Sequence, residues 1–516
     1  ALLARGGGDA YDHMIVALGR AAQGDIAGAE ALFARALTLD PADVSVLTGQ
    51  AAFLREQGRL REAVLACDKA IGIAPGYADA WLERGAILAA GGAIAPSRES
   101  FATAAKLAPR NSSAHAGLAS LGAREGDHAA ARLHAERALS LDPGNAIAIC
   151  ALASAEMASG DPAAARARLE ALTGGLATPS QNRSLAAGLA GDACDRLGDH
   201  HAAYRHYAQC KADFAAIHAR AAEGRLTHRQ FIEAIDAGLR ALTSADWSAP
   251  APAISRRAHP RHVFLLGYPR SGTTLLENVL ASLPGVAALE ERPTLVEADQ
   301  AYLMGNHADI VAGLARFAQL DADGLEALRD AYWSKVVAAG VPADTPCFVD
   351  MDPLKGTRLP LIARLFPDAR ILLMRRDPRD VVWSCFRTNF AMTSGTLDYT
   401  SLDRAARHYD ALMRLTKRAL DLLPIKVHVV QYHRLVQDFD ATTQAICAFL
   451  GLEWRETMRQ FDRTAARRGV STASAPQIRR GLYDGTGQWQ PYADYLAPVM
   501  PILQPWIERF GYGNSG

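Results

Sequence analysis

Four prolines, Pro41, Pro75, Pro109 and Pro143, stand 34 residues apart. Gly24, Gly58, Gly92, Gly126 and Gly160 keep the same period, and so do Ala36, Ala70, Ala104 and Ala138. Three registers in phase mean one supersecondary unit used repeatedly. Each glycine falls in the turn between two helices, where left-handed backbone is needed. Each alanine falls where the second helix approaches its neighbour. Ala29, Ala63, Ala131 and Ala165 mark a further small position, held by Ser97 in the third unit. Leu-Asp-Pro at 39–41 and 141–143 closes a unit, proline stopping the helix. One helix pair cannot bury its apolar face alone, so the pairs are expected to stack into a superhelix with a concave face.

The period and residue types resemble those of the tetratricopeptide repeat. The period slips at Gly198, 38 residues after Gly160, and 187–240 reads as a further helix pair plus a capping helix. A proline-containing segment without apolar period comes next. The expected organisation is therefore a helical-repeat domain over 1–242, a linker over 243–260 and a second domain over 261–516. Lysine plus arginine equals aspartate plus glutamate at 55 each, which argues against bulk nucleic-acid binding. Seven scattered cysteines without a CxxC pair read as reduced thiols in a cytoplasmic protein. No apolar run approaches the roughly 18 residues needed to span a bilayer. The abrupt opening, Ala-Leu-Leu-Ala-Arg, leaves room for a preceding targeting segment.

The second half opens with an apolar run over 262–268, suited to a buried parallel strand. Pro269-Arg270-Ser271-Gly272-Thr273-Thr274 comes after it, and then a helical pattern. Strand, glycine-containing loop and helix make a cradle whose amides and helix N-terminus face an anion. Gly267 and Gly272 have the spacing of the ATP/GTP loop, but Thr273 stands where that loop needs lysine, and Arg270 puts a cation in the middle instead. Such a loop suits a 5′-phosphate carrying a further oxyanion. A second buried strand, 368–374, runs into Arg375-Arg376-Asp377-Pro378. The 15 histidines form no evident ligand set and there is no HExxH, so no metal is expected.

The strand, loop and helix over 264–280 resemble the 5′-phosphosulfate loop region of the sulfotransferases, above all the bacterial tetratricopeptide-repeat type and the tyrosylprotein sulfotransferases. The resemblance implies an α + α/β architecture: a tetratricopeptide superhelix leading into a P-loop-like domain with a parallel sheet. The implied donor is 3′-phosphoadenosine-5′-phosphosulfate, bound through Arg270, Ser271, Gly272, Thr273 and Thr274. Arg376 and Ser384, eight residues apart, would take its 3′-phosphate, and Tyr432 would lie beside the adenine. Ser474, Gln477 and Arg479 fall in a segment similar to the family's cofactor cover. Tyrosylprotein sulfotransferases carry a glutamate 21 residues after the loop arginine; here it is Glu291, with Glu290 the near alternative. Glu291 would be the base and Arg270 would meet the leaving oxygen. The acceptor is a hydroxyl, with peptide or protein tyrosine favoured over carbohydrate or lipid, and a groove in the repeats would be a place to present it.

Two departures stand out. The family's Asp-Lys-x-Pro reads Asp350-Met351-Asp352-Pro353, so Met351 replaces a lysine, and Lys355 is the nearest cation that could reach in. Gln488 stands where a basic residue usually precedes the tryptophan, here Trp489. They keep a second reading open, a repeat scaffold whose degenerate domain holds nucleotide without chemistry. A nucleotide or small-molecule kinase is a third, opposed by Thr273.

Overall fold

The computed structural model describes residues 8–247, 261–468 and 481–513. The chain forms two compact units that divide between His206 and Tyr207. The first consists of antiparallel helix pairs, from Ala10–Ala22 with Ile26–Leu39 through Ala146–Ala158 with Pro162–Gly175, and then Gln181–Arg196. Each period glycine sits in the intra-pair turn with positive φ, from 75° at Gly58 to 87° at Gly160, a conformation glycine adopts without the Cβ penalty. Ala36, Ala70, Ala104 and Ala138 are fully buried, as are Ala29, Ala63, Ala131 and Ala165. Ser97 is tolerated at that small position because its hydroxyl donates to the Gly85 carbonyl at 2.7 Å; a buried hydroxyl without a partner would be costly.

At the end of this unit Glu170, Cys194 and His206 bring their donor atoms within 4.8 Å of one another. Arg166 donates to Glu170 at 2.9 Å, so a guanidinium already meets that carboxylate. All seven cysteines are buried thiols. Among the described residues no helix is long and apolar enough to cross a membrane.

The second unit is built on five parallel strands, β1 Arg261–Leu266, β2 Val286–Glu290, β3 Cys347–Met351, β4 Arg370–Arg375 and β5 Lys426–Gln431. Their order is β2-β3-β1-β4-β5. β1 and β3 are buried almost end to end, as expected of strands covered by helices on both faces. From β1 the chain goes one way to β2, whereas β4 lies on the other side of β1. The order thus reverses at β1, and the crevice beyond the carboxyl ends of β3, β1 and β4 is where such sheets bind ligands. One core cluster joins this sheet to the helices Thr273–Leu280 and Phe439–Leu450 through Val263, Leu265, Leu276, Leu372 and Ile446.

Candidate active site

The loop after β1 enters that crevice by close backbone approach. A Cβ on Gly267 would lie 2.7 Å from Ser271 Oγ and 3.1 Å from the Met374 carbonyl oxygen, so only glycine fits. The Ser271 amide donates to the Tyr268 carbonyl at 3.0 Å, closing the turn. No side chain caps the helix Thr273–Leu280, whose N-cap is Gly272 at φ 104°. Its N-terminal amides and dipole are therefore directed at whatever anion the loop receives. A side chain at Gly272 would collide with the Tyr432 ring, 2.7 Å away.

Arg270 has φ 70°. It is 1 of 2 non-glycine residues with positive φ among the described residues, the other being Glu291 at φ 48°. Left-handed backbone is unfavourable for side chains of this kind and persists only where surrounding structure imposes it, most often at functional sites. Burial draws the Arg270 guanidinium down to about 10. Its Nε donates to Ser384 Oγ at 3.0 Å. Ser384 lies on the helix Pro378–Arg387, which starts with Asp377 as N-cap and Pro378 in its first turn.

Arg376, at the end of β4, donates through Nη1 to the Arg270 carbonyl at 3.0 Å and through Nη2 to the Gly485 carbonyl. It also pairs with Asp380 at 3.7 Å, and its guanidinium lies 4.7 Å from the centre of the Tyr432 ring. Arg376 and Ser384 are thus joined through Arg270, which bonds both. The Tyr432 hydroxyl donates to the Tyr483 carbonyl at 3.0 Å and accepts from the Gly485 amide at 3.3 Å. Asp380, fully buried, accepts from the amides of Gly487 at 2.9 Å and Trp489 at 3.1 Å. Gln488 accepts from Arg387 at 2.9 Å, so that cation reaches the strap formed by residues 483–489 from the Ser384 helix. Beside the strap a cavity of about 460 Å³ is lined by Arg376, Asp380, Tyr432, His433, Trp489 and Tyr512. Ser474, Gln477 and Arg479 lie outside the described residues.

The other side of the crevice carries the carboxylates. The Glu291 amide donates to the Met351 carbonyl at 2.7 Å, while Gly267 donates to the Pro353 carbonyl at 3.3 Å. The end of β3 thus holds the glutamate turn on one side and the anion loop on the other. Glu291 is exposed. The protein around it, together with Asp352, Glu290 and Glu277, pushes its carboxyl up to about 7, with Lys355 acting in the opposite sense. A carboxyl poised near neutral pH is suited to general base catalysis. Glu290 ends β2 in register with Met351, half-buried.

Lys355 does not extend into the crevice. Its ammonium is buried and bonds Asp350 Oδ1, Thr294 Oγ1 at 3.1 Å and the Arg292 carbonyl at 3.1 Å. Three acceptors use its three N–H groups. It clasps the turn after Glu291 rather than facing a ligand. Asp350 also accepts from Thr294 at 2.7 Å and from Tyr332 at 2.9 Å. Met351 is fully buried in the core. Lys355→Met should lower stability by about 3–5 kcal/mol, because it leaves a buried carboxylate without its cation. Urea unfolding should show this, with partial recovery when Asp350→Asn is added.

One brace had no signal in the sequence. The Tyr268 hydroxyl and His408 Nδ1 are 2.7 Å apart, and His408 Nε2 lies 2.8 Å from His228 Nδ1. Burial holds both imidazoles neutral, His228 down to about 3. The three residues are separated by 140 and 180 positions in pairs, so spacing could not link them.

Residues 260–456 match the model of the sulfotransferase family, and 17–78, 94–146 and 123–189 match tetratricopeptide repeat models. The chain thus joins tetratricopeptide repeats to a sulfotransferase-family domain. It is similar to an uncharacterized protein of Aquifex aeolicus, 30% identical over 266 residues, which are 49% of this chain and 34% of that protein. It is also similar to protein-tyrosine sulfotransferase 2 of Gallus gallus, 28% identical over 267 residues, covering 48% of this chain and 69% of that one. The match to protein-tyrosine sulfotransferase 1 of Mus musculus is 33% over 131 residues, 24% of this chain and 33% of the other. The chain therefore spans about a third of the length of the Aquifex relative and about two thirds of the Gallus one. Among solved structures, that of PilW, a type IV pilus biogenesis factor, aligns with 40% of this chain and 93% of its own at 21% identity and a TM-score of 0.35.

Proposed function

We propose that the second unit transfers a sulfuryl group from 3′-phosphoadenosine-5′-phosphosulfate to a hydroxyl, with peptide or protein tyrosine the favoured acceptor. The observation that carries this reading is the pair of left-handed residues, Arg270 and Glu291, held on either side of the β3 end. Glu291 takes the acceptor proton as the acceptor oxygen bonds to sulfur and the bond from sulfur to the 5′-phosphate oxygen breaks. Arg270 and the amides of Ser271 to Thr274 meet the charge left on that oxygen. Arg376, with Ser384, holds the 3′-phosphate, and Tyr432 flanks the adenine. Ser474, Gln477 and Arg479, outside the described residues, are assigned to donor binding by the family resemblance alone. The repeats present the acceptor, and the protein works in the cytoplasm.

The test is transfer from sulfur-labelled donor to tyrosine-containing peptides, with sugar and lipid hydroxyls in parallel. No transfer despite donor binding would favour the scaffold reading, which buried Met351 and the engaged Lys355 support. Because fixed cations and amides perform the charge work that Mg²⁺ performs in ATP enzymes, excess chelator should leave the rate unchanged. Loss of turnover without unfolding would count against the donor assigned here.

A further inference from the structure

Lys211, on the helix His200–Ala222, is 4% exposed. Among the described residues its one hydrogen bond goes to the Thr388 carbonyl, at 2.6 Å, and the Phe390 ring lies 5.8 Å away. No carboxylate among the described residues pairs with it, although a buried cation is ordinarily paired. Burial accordingly draws its pKa down.

Its position gives the unmatched charge a purpose. Thr388 ends the Ser384 helix, and both its amide and its hydroxyl donate to the Ser384 carbonyl, at 3.1 and 2.7 Å. Cys385, next to Ser384, places its thiol 3.5 Å from the Pro269 carbonyl in the anion loop. That thiol lies in the combined field of Arg270, Lys211 and Arg376. Lys211 thus joins Arg270 and Arg376 among the cations that act on this thiol. The carboxylate on the same helix, Asp380, already faces Arg376 and two backbone amides. The place where Met351 replaces a cation is fully buried, and Lys355 is engaged elsewhere.

We infer that Lys211 is a positioning residue of the anion site, a third cation that acts through its field on the Arg270 loop and through Thr388 on Ser384. The inference rests on the phosphosulfate reading of that loop. Its ligand is a polyanion, and its effect scales with ligand charge, unlike that of a packing residue.

The experiment compares wild type with Lys211→Met by calorimetric titration of 3′-phosphoadenosine 5′-phosphate, AMP, adenosine and inorganic pyrophosphate. Binding of the bisphosphate and of pyrophosphate should weaken about tenfold, that of AMP less, and that of adenosine not at all. The melting temperature without ligand should stay the same or rise, since an unpaired buried charge is removed. Lys211→Arg should restore much of the bisphosphate affinity. Equal weakening for all ligands with a lowered melting temperature would show a packing residue and overturn the inference, as would unchanged binding of both anions. Should Lys211→Met not fold, Lys211→Gln takes its place in the same series. Failure of wild type to distinguish bisphosphate from AMP would defeat the donor reading instead. Pyrophosphate would then still decide whether Lys211 charges the loop.

Discussion

Glu291→Gln should lower the single-turnover rate of sulfuryl transfer by about 10²–10⁴-fold, the usual contribution of a positioned base. The amide keeps the shape and hydrogen-bonding capacity of the side chain but cannot take a proton. Donor affinity and melting temperature should barely change, because the backbone bond to Met351 that fixes the turn is retained. The pH dependence provides a second reading. With the carboxyl pushed up to about 7, its acid form predominates below that pH, and the base form is available above it. In the wild type kcat/KM should therefore rise with pH and level off above about 7; in the variant that limb should be absent. Glu290→Gln should be milder. Full activity in Glu291→Gln would end its assignment as base, and loss of donor binding would make it a loop support.

Arg376→Ala should produce the largest effect on binding. 3′-Phosphoadenosine 5′-phosphate should raise the melting temperature of the wild type well above the value with AMP, because ligand bound to the native state stabilises it. The substitution should erase that difference and weaken the bisphosphate by about 10²-fold or more, as expected when one partner of a buried, hydrogen-bonded charge pair is removed. Because Arg376 also bonds the Arg270 and Gly485 carbonyls, some AMP affinity should be lost as well. The 3′-phosphate assignment fails if both nucleotides stabilise the wild type equally.

The repeats were legible because each helix pair repeats one packing problem, and the residue that solves it recurs. Where the solution changed, at Ser97, the sequence showed the exception but not the Gly85 carbonyl that accommodates it. The strands at 261–266 and 370–375 were legible as short apolar runs leading into loops with special residues. The destination of Lys355 was not legible, since its three acceptors come from two separate segments, at Asp350 and at Arg292 to Thr294. Nor were the left-handed conformations of Arg270 and Glu291, because neither residue type favours them; the surrounding hydrogen bonds impose them. The joining of Arg376 to Ser384 through Arg270 likewise depends on side-chain reach between elements, which spacing along one chain does not report.

Residues 483–489 close over the residues that follow β4 and β5: the Tyr483 and Gly485 carbonyls receive Tyr432 and Arg376, and the Gly487 and Trp489 amides reach Asp380. During synthesis these groups leave the ribosome after all five strands of the sheet. A nascent chain can therefore complete its repeats and its sheet while the corner around Arg376 and Tyr432 is still open. A chain cut short before residue 483 would lose more than these groups: it would also lack Tyr492, stacked on Trp383 at 3.7 Å, and the buried Leu496, Leu503 and Trp506.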